Sequence, residues 1–113
     1  VMDEVSPNAD TIVYEIESGA MDRFVIKPGQ YISHDEAKLI PSGLTPEENS
    51  LLFIETVSSG KPSPLARLLA LNAALSLYGY NRNNSIDESY HKSLKAITDG
   101  TVHKKLKKLR GEI

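Results

Sequence analysis

From Thr11 to Glu17 apolar and polar positions alternate. Ile12, Tyr14 and Ile16 share one face and Val13, Glu15 and Glu17 the other, the period-two signature of a strand. Ser18-Gly19 supplies a turn, and Arg23-Phe24-Val25-Ile26 reads as a second short strand closed by Lys27-Pro28-Gly29. Residues 11–27 therefore predict a β-hairpin with a loop of a few residues. The pattern then weakens into a connector with one helical turn over His34 to Ile40, broken at Pro41-Ser42-Gly43.

Helical periodicity takes over at Thr45-Pro46-Glu47-Glu48, where Thr is an N-cap, Pro fits the first helical position and the carboxylates face the positive end of the helix dipole. This helix should run to about Ser58, stop at Gly60 and turn Leu51, Leu52, Ile54 and Val57 inward. Ser63-Pro64 repeats the start signal, and Leu65 to Tyr78 is apolar nearly all the way round, as in a helix buried on most sides, with Gly79 as its C-terminal stop. After a polar loop at Asn81 to Asn84, Ser85 and Glu88 form a capping box for a helix reaching about Thr98. Asp99-Gly100 breaks it, and a last helix from Thr101 to Gly111 sets Val102, Leu106 and Leu109 against a lysine-rich side. One hairpin and a few short helices can barely surround the Leu65 to Tyr78 segment, so its exposed parts and the hairpin should leave an apolar patch that needs further sequence or another subunit.

Composition bounds the chemistry. The 113 residues suit one domain, at 40% hydrophobic and 25% charged. The absence of cysteine removes disulfides, thiolate nucleophiles and Cys-ligated zinc and fits a reducing compartment, hence the cytoplasm. No apolar run approaches the roughly 20 residues a membrane span needs. Net charge is -2, but His103-Lys104-Lys105-Leu106-Lys107-Lys108-Leu109-Arg110 gathers positive charge at one end. Such a block can attract nucleic-acid phosphates, yet its lysines fall on the polar side of an amphipathic helix near its C-terminus, where cations are stabilising anyway.

Asp3 and Glu4 precede a Ser6-Pro7 turn and suit Mg²⁺, a hard cation that joins one or two carboxylates to substrate phosphates. Adjacent residues on a straight strand point to opposite faces, so both can serve one ion only if the backbone turns, as Ser6-Pro7-Asn8 suggests. An acidic pair alone is more often a solvated loop. His34, His91 and His103 are far apart, without metal-ligand spacing, and no Ser-His-Asp group or glycine-rich phosphate loop is present. Asn72, a single amide in the most apolar helix, reads as a hydrogen-bonded structural residue.

In order along the chain stand Asp3-Glu4-Val5-Ser6-Pro7, the strand residues Thr11, Val13 and Glu15, Ile26 with Pro28, Pro46-Glu47-Glu48-Asn49, Ser59-Gly60-Lys61, and Leu71-Asn72-Ala73-Ala74 before Leu77-Tyr78. This series resembles the C-terminal third of the anthranilate phosphoribosyltransferases, glycosyltransferase family 3 enzymes of tryptophan biosynthesis. The resemblance covers nearly the whole chain. Ser50, where the family has Ala, and Ile32-Ser33, where it has Phe-Gly, are departures at positions read as packing.

The resemblance implies transfer of a phosphoribosyl group from phosphoribosyl pyrophosphate to the amine of anthranilate, with release of pyrophosphate. It implies Mg²⁺ as cofactor, held by Asp3 and Glu4, and a cytoplasmic homodimer meeting through a small helical domain outside this sequence. No catalytic or phosphate-loop residue carries over, because the family's glycine-rich loop and its acceptor-binding Arg belong upstream. The expected fold class is an α+β fragment, a hairpin followed by four to five helices. It would be part of a larger α/β domain of the nucleoside phosphorylase/phosphoribosyltransferase type. Residues 1–28 would carry the acidic motif and hairpin and 29–113 the helical segment of that single portion, which would be inactive alone. The other reading is a non-catalytic relative that binds nucleic acid through Lys104 to Arg110.

Overall fold

The computed structural model describes residues 5–80 and 84–111. Strands β1 (Thr11–Glu17) and β2 (Ala20–Ile26) form an antiparallel hairpin with Thr11 opposite Ile26 and Glu17 opposite Ala20. A short 3-10 turn at Pro28–Gln30 leads to α1 (His34–Ala37), followed by α2 (Pro46–Ser59), α3 (Pro64–Tyr80), α4 (Ile86–Thr98) and α5 (Thr101–Leu109). The chain is thus an α+β structure, a hairpin followed by five helices. No helix of the described residues is long and apolar enough to cross a membrane.

The hairpin is tighter than its sequence suggested. Ser18 and Gly19 alone form the turn, with φ of 50° and 81°, and the second strand begins at Ala20 rather than Arg23. Two successive left-handed residues match the twist of paired strands, which lets a two-residue loop close the hairpin. Thr11, Val13 and Glu15 are half-buried, whereas Ile12, Tyr14 and Ile16, the more apolar face, are exposed together with Met21 and Val25 of β2. On the covered side Phe24 meets Tyr78 of α3 edge-on at 5.6 Å, and the Tyr78 hydroxyl donates to Glu15 Oε2 at 2.9 Å.

The main core unites Val5, Ile26, Ala66, Ala70, Leu71, Ala74, Tyr90 and Ile97, with Val13, Phe24, Leu69, Leu94 and Val102 packed against it. Helices α3 and α4 form its centre. Gly79 does not stop α3, which continues through it to Tyr80; a glycine inside a helix is tolerated where the helix is held by packing. Gly60, by contrast, terminates α2 at φ 65°, and Gly100 precedes α5 at φ 86°. Helix α5 ends at Leu109, short of Gly111, and Leu109 is exposed. In α2, Leu51 is exposed while Thr56 is buried, its hydroxyl satisfied by donating to Leu52 O at 2.7 Å. Ile32 is buried, but Ser33 caps α1 and Ser50 is exposed, so neither serine fills the core.

The cap of α2 forms as its sequence implied. Thr45 Oγ1 accepts from the Glu48 N–H at 3.1 Å and Glu48 Oε1 accepts from the Thr45 N–H at 3.0 Å. For α4, the Ser85 half of the capping box forms, its Oγ accepting from the Glu88 N–H at 3.0 Å. The Thr45 backbone N–H, and then its hydroxyl, hold the Glu48 carboxyl below its usual value of 4.5. Folding lowers this pKa, so its contribution is complete above pH 4.5 and is lost as pH falls through the folded value. Thr45→Ala should lower stability by about 1 kcal/mol in urea melts near neutral pH. Glu48→Gln, which cannot titrate, should make the loss of stability as pH falls below 4.5 shallower; an unchanged acid limb would show that the cap does not contribute there.

Candidate functional site

Asp3 and Glu4 lie outside the described residues. What is described begins at Val5, and there the chain is firmly held. The Val5 side chain is 1% exposed in the main core. Its N–H donates to Asn72 Oδ1 at 2.8 Å, and Asn72 Nδ2 donates to Leu68 O, one turn earlier in α3, at 3.0 Å. These two bonds fix which way the amide faces, since only its oxygen can accept from Val5 and only its nitrogen can donate to a carbonyl. Asn72 is therefore a hydrogen-bonded structural residue, as its setting suggested. Its partner, 67 positions away, could not be read from the chain. Directly beyond Val5 the backbone bends over Pro7 to Ala9, and Ser6 Oγ accepts from the Asn8 N–H at 3.1 Å.

Elsewhere the ionisable groups are structural. Among the described residues no group of three or more His, Asp or Glu side chains is placed to hold a metal ion. His34 is exposed, His91 Nε2 lies 3.5 Å from Asp87 Oδ2 across one exposed turn of α4, and His103 Nδ1 is 3.2 Å from Ser58 Oγ. The structure does not bring the three histidines together. Tyr31 stacks at a tilt on Tyr90, with ring centroids 4.3 Å apart, and donates to Asp87 Oδ1 at 3.2 Å. Burial, with Asp87 adding to it, raises the Tyr31 pKa; burial also raises that of Tyr90, against the opposing effect of the Arg67 charge. Both tyrosines are held neutral by these surroundings.

A shallow depression of about 160 Å³ between β2 and the start of α4 is lined by Phe24, Ile26, Lys27, Gln30, Tyr31 and Ile86. Among the described residues no carboxylate lines it. Lys104, Lys105, Lys107 and Lys108 are all exposed on α5, opposite the half-buried Val102 and Leu106. A solvated helix face explains this arrangement without a ligand.

Two comparisons agree on what this fold and anchored N-terminal segment belong to. A family profile described as "Glycosyl transferase family, a/b domain" matches residues 1–103, and the chain belongs to that family. It is 30% identical over 105 residues to the anthranilate phosphoribosyltransferase of Vesicomyosocius okutanii, covering 93% of this chain and 31% of that protein. To the enzyme of the same name from Geobacillus kaustophilus it is 31% identical over 112 residues, covering 98% and 33%. The corresponding protein of Staphylococcus aureus is 28% identical over 112 residues, covering 98% and 34%. The chain thus spans about a third of the length of the relatives it matches. No solved structure matches it at a comparable level.

Proposed function

We propose that this chain is part of an anthranilate phosphoribosyltransferase, in which Asp3 and Glu4 supply carboxylates for a Mg²⁺ ion that accompanies pyrophosphate. The observation that carries this reading is the acidic pair immediately preceding the anchored Val5, in a chain whose relatives bear that enzyme's name. Two adjacent carboxylates are the hard oxygen donors such an ion takes.

As phosphoribosyl pyrophosphate gives up its C1-oxygen bond to the anthranilate amine, negative charge grows on the departing pyrophosphate. Asp3 and Glu4 would hold a divalent cation, which would supply charge neutralisation for that leaving group, and a charge held in place stabilises the transition state more than the ground state. The remainder of the active site would come from other sequence or another subunit. The exposed apolar face of the hairpin, Ile12, Tyr14, Ile16, Met21 and Val25, supports such a neighbour. In this reading the intact protein is a cytoplasmic homodimer of tryptophan biosynthesis.

The test is phosphoribosyl transfer to anthranilate, followed by fluorescence, with the complete open reading frame encoding this chain. Magnesium-dependent turnover is expected, reduced by about 100-fold or more when Asp3→Asn and Glu4→Gln are combined. No turnover in the unaltered protein, accompanied by salt-sensitive binding of single-stranded DNA that disappears when Lys104, Lys105, Lys107 and Lys108 become Ala, would replace this reading with the nucleic-acid-binding one.

A further inference from the structure

Asp87, in the first turn of α4, meets two other polar side chains at once. The Tyr31 hydroxyl donates to its Oδ1 at 3.2 Å, and His91 Nε2 lies 3.5 Å from its Oδ2. Besides tying Tyr31 to α4, this grouping has the makings of an ion site. We infer that Asp87 and His91 bind a divalent transition-metal ion of the zinc class, with Tyr31 as the residue that positions the carboxylate. The inference stands independently of the role given to Asp3 and Glu4.

Three observations carry it. First, Asp87 and His91 are four apart on α4 and so share a face of the helix. Zinc sits about 2.0–2.2 Å from imidazole nitrogen and carboxylate oxygen, so donors 3.5 Å apart subtend about 110–120° at the ion, close to the tetrahedral angle zinc takes. Second, the carboxylate is already oriented. Tyr31 engages Oδ1 and leaves Oδ2 toward His91, the arrangement in which a ligating carboxylate is itself hydrogen-bonded. Burial, with Asp87 adding to it, raises the Tyr31 pKa, so the hydroxyl keeps the proton it donates. Third, both rings rest on Tyr90, which is 3% exposed in the main core: Tyr31 lies tilted on it at 4.3 Å and His91 edge-on at 5.2 Å. The donors themselves remain accessible, with the His91 and Asp87 side chains 67% and 64% exposed. An ion pair this exposed contributes little to stability, and the hydroxyl from a separate segment together with the shared aromatic support distinguishes it from an ordinary surface pair. Imidazole beside carboxylate suits zinc, whereas Mg²⁺ takes oxygen donors. Two protein donors leave the other positions to water, which makes the site an open one.

The experiment titrates Zn²⁺ into the complete protein against a chromophoric zinc indicator, with Asp3→Asn and Glu4→Gln present throughout so that the acidic pair cannot contribute. Into this background go His91→Gln, Asp87→Asn, Tyr31→Phe and, as a control for surface imidazoles, His34→Gln. Asp87 and His91 are mostly exposed and Tyr31→Phe keeps the ring on Tyr90, so the variants should fold, which thermal melting checks. Zn²⁺ affinity should fall more than tenfold in His91→Gln and in Asp87→Asn and about tenfold in Tyr31→Phe, and stay unchanged in His34→Gln. Excess Mg²⁺ should not displace the zinc. Unchanged affinity in His91→Gln overturns the site, as does an equal loss in His34→Gln, which would mean dispersed binding by surface histidines. Absence of Zn²⁺ binding before any of these four substitutions overturns it too. Loss in His91→Gln beside full affinity in Tyr31→Phe leaves the ion site standing and overturns the positioning role of Tyr31.

Discussion

Leu71→Ala should destabilise the protein by about 2–5 kcal/mol, the range for emptying a fully covered leucine position in a core that cannot collapse around the gap. Leu71 is 0% exposed and shares its cluster with Ile26 of the hairpin and Tyr90 and Ile97 of α4, so the cavity would open where hairpin, α3 and α4 meet. Its neighbours in that cluster along α3, Ala66, Ala70 and Ala74, have no longer side chain to swing into the space. Leu77→Ala, at a position 46% exposed near the end of the same helix, should cost less than about 1 kcal/mol. Urea melts of the two variants would show the difference as a shift in midpoint at constant slope. Equal costs would mean that α3 buries a different side from the one described.

That contrast also shows where the sequence stopped being informative. The start signals of α2 and α3 and the stop at Gly60 were legible because each is a local property of backbone groups and their nearest side chains. The side of α3 that would be buried was not. A helix apolar all round has little directional signal, and its most covered positions proved to be Leu71 and the three alanines Ala66, Ala70 and Ala74, spaced four apart, while Leu77 faces outward. Small side chains at that spacing permit close approach of α4, a property of the helix pair rather than of either sequence alone. The hairpin was legible by its alternation, but its more apolar face is the exposed one, since Val13, Phe24 and Ile26 already fill the space against the core. At the candidate site, residue types suggested a metal pair, and the family resemblance strengthened the suggestion. The Asn72 anchor could not be seen, because a hydrogen bond spanning 67 positions leaves no pattern in either segment.

Glu36→Ala should cost about 1–3 kcal/mol although it lies in a four-residue helix, because two interactions end on this one carboxylate. Glu36 Oε1 accepts from the Ser33 N–H at 3.1 Å, completing the capping box of α1. Glu36 Oε2 pairs with Arg67 Nη2 of α3. The Arg67 side chain is only 19% exposed; Nη1 donates to Pro62 O at 2.7 Å, while Nε has no hydrogen-bond partner among the described residues. Removing Glu36 would leave a largely covered cation without its counter-charge. Breaking a fully buried pair costs about 3–5 kcal/mol, but Glu36 is 38% exposed, and solvent screening reduces the figure. Glu36→Gln separates the two contributions, since its amide oxygen can still accept from Ser33 but carries no charge; it should retain the cap and lose most of the pair. Arg67→Met should cost less than Glu36→Ala, because the carboxylate left behind is the better hydrated partner and a methionine can occupy the covered space. The double variant should then be closer to Arg67→Met than to the sum of the two, a coupling that urea melts of all four proteins would measure. Additive losses would mean that Glu36 acts through its cap alone and that water serves Arg67 as well as the carboxylate does.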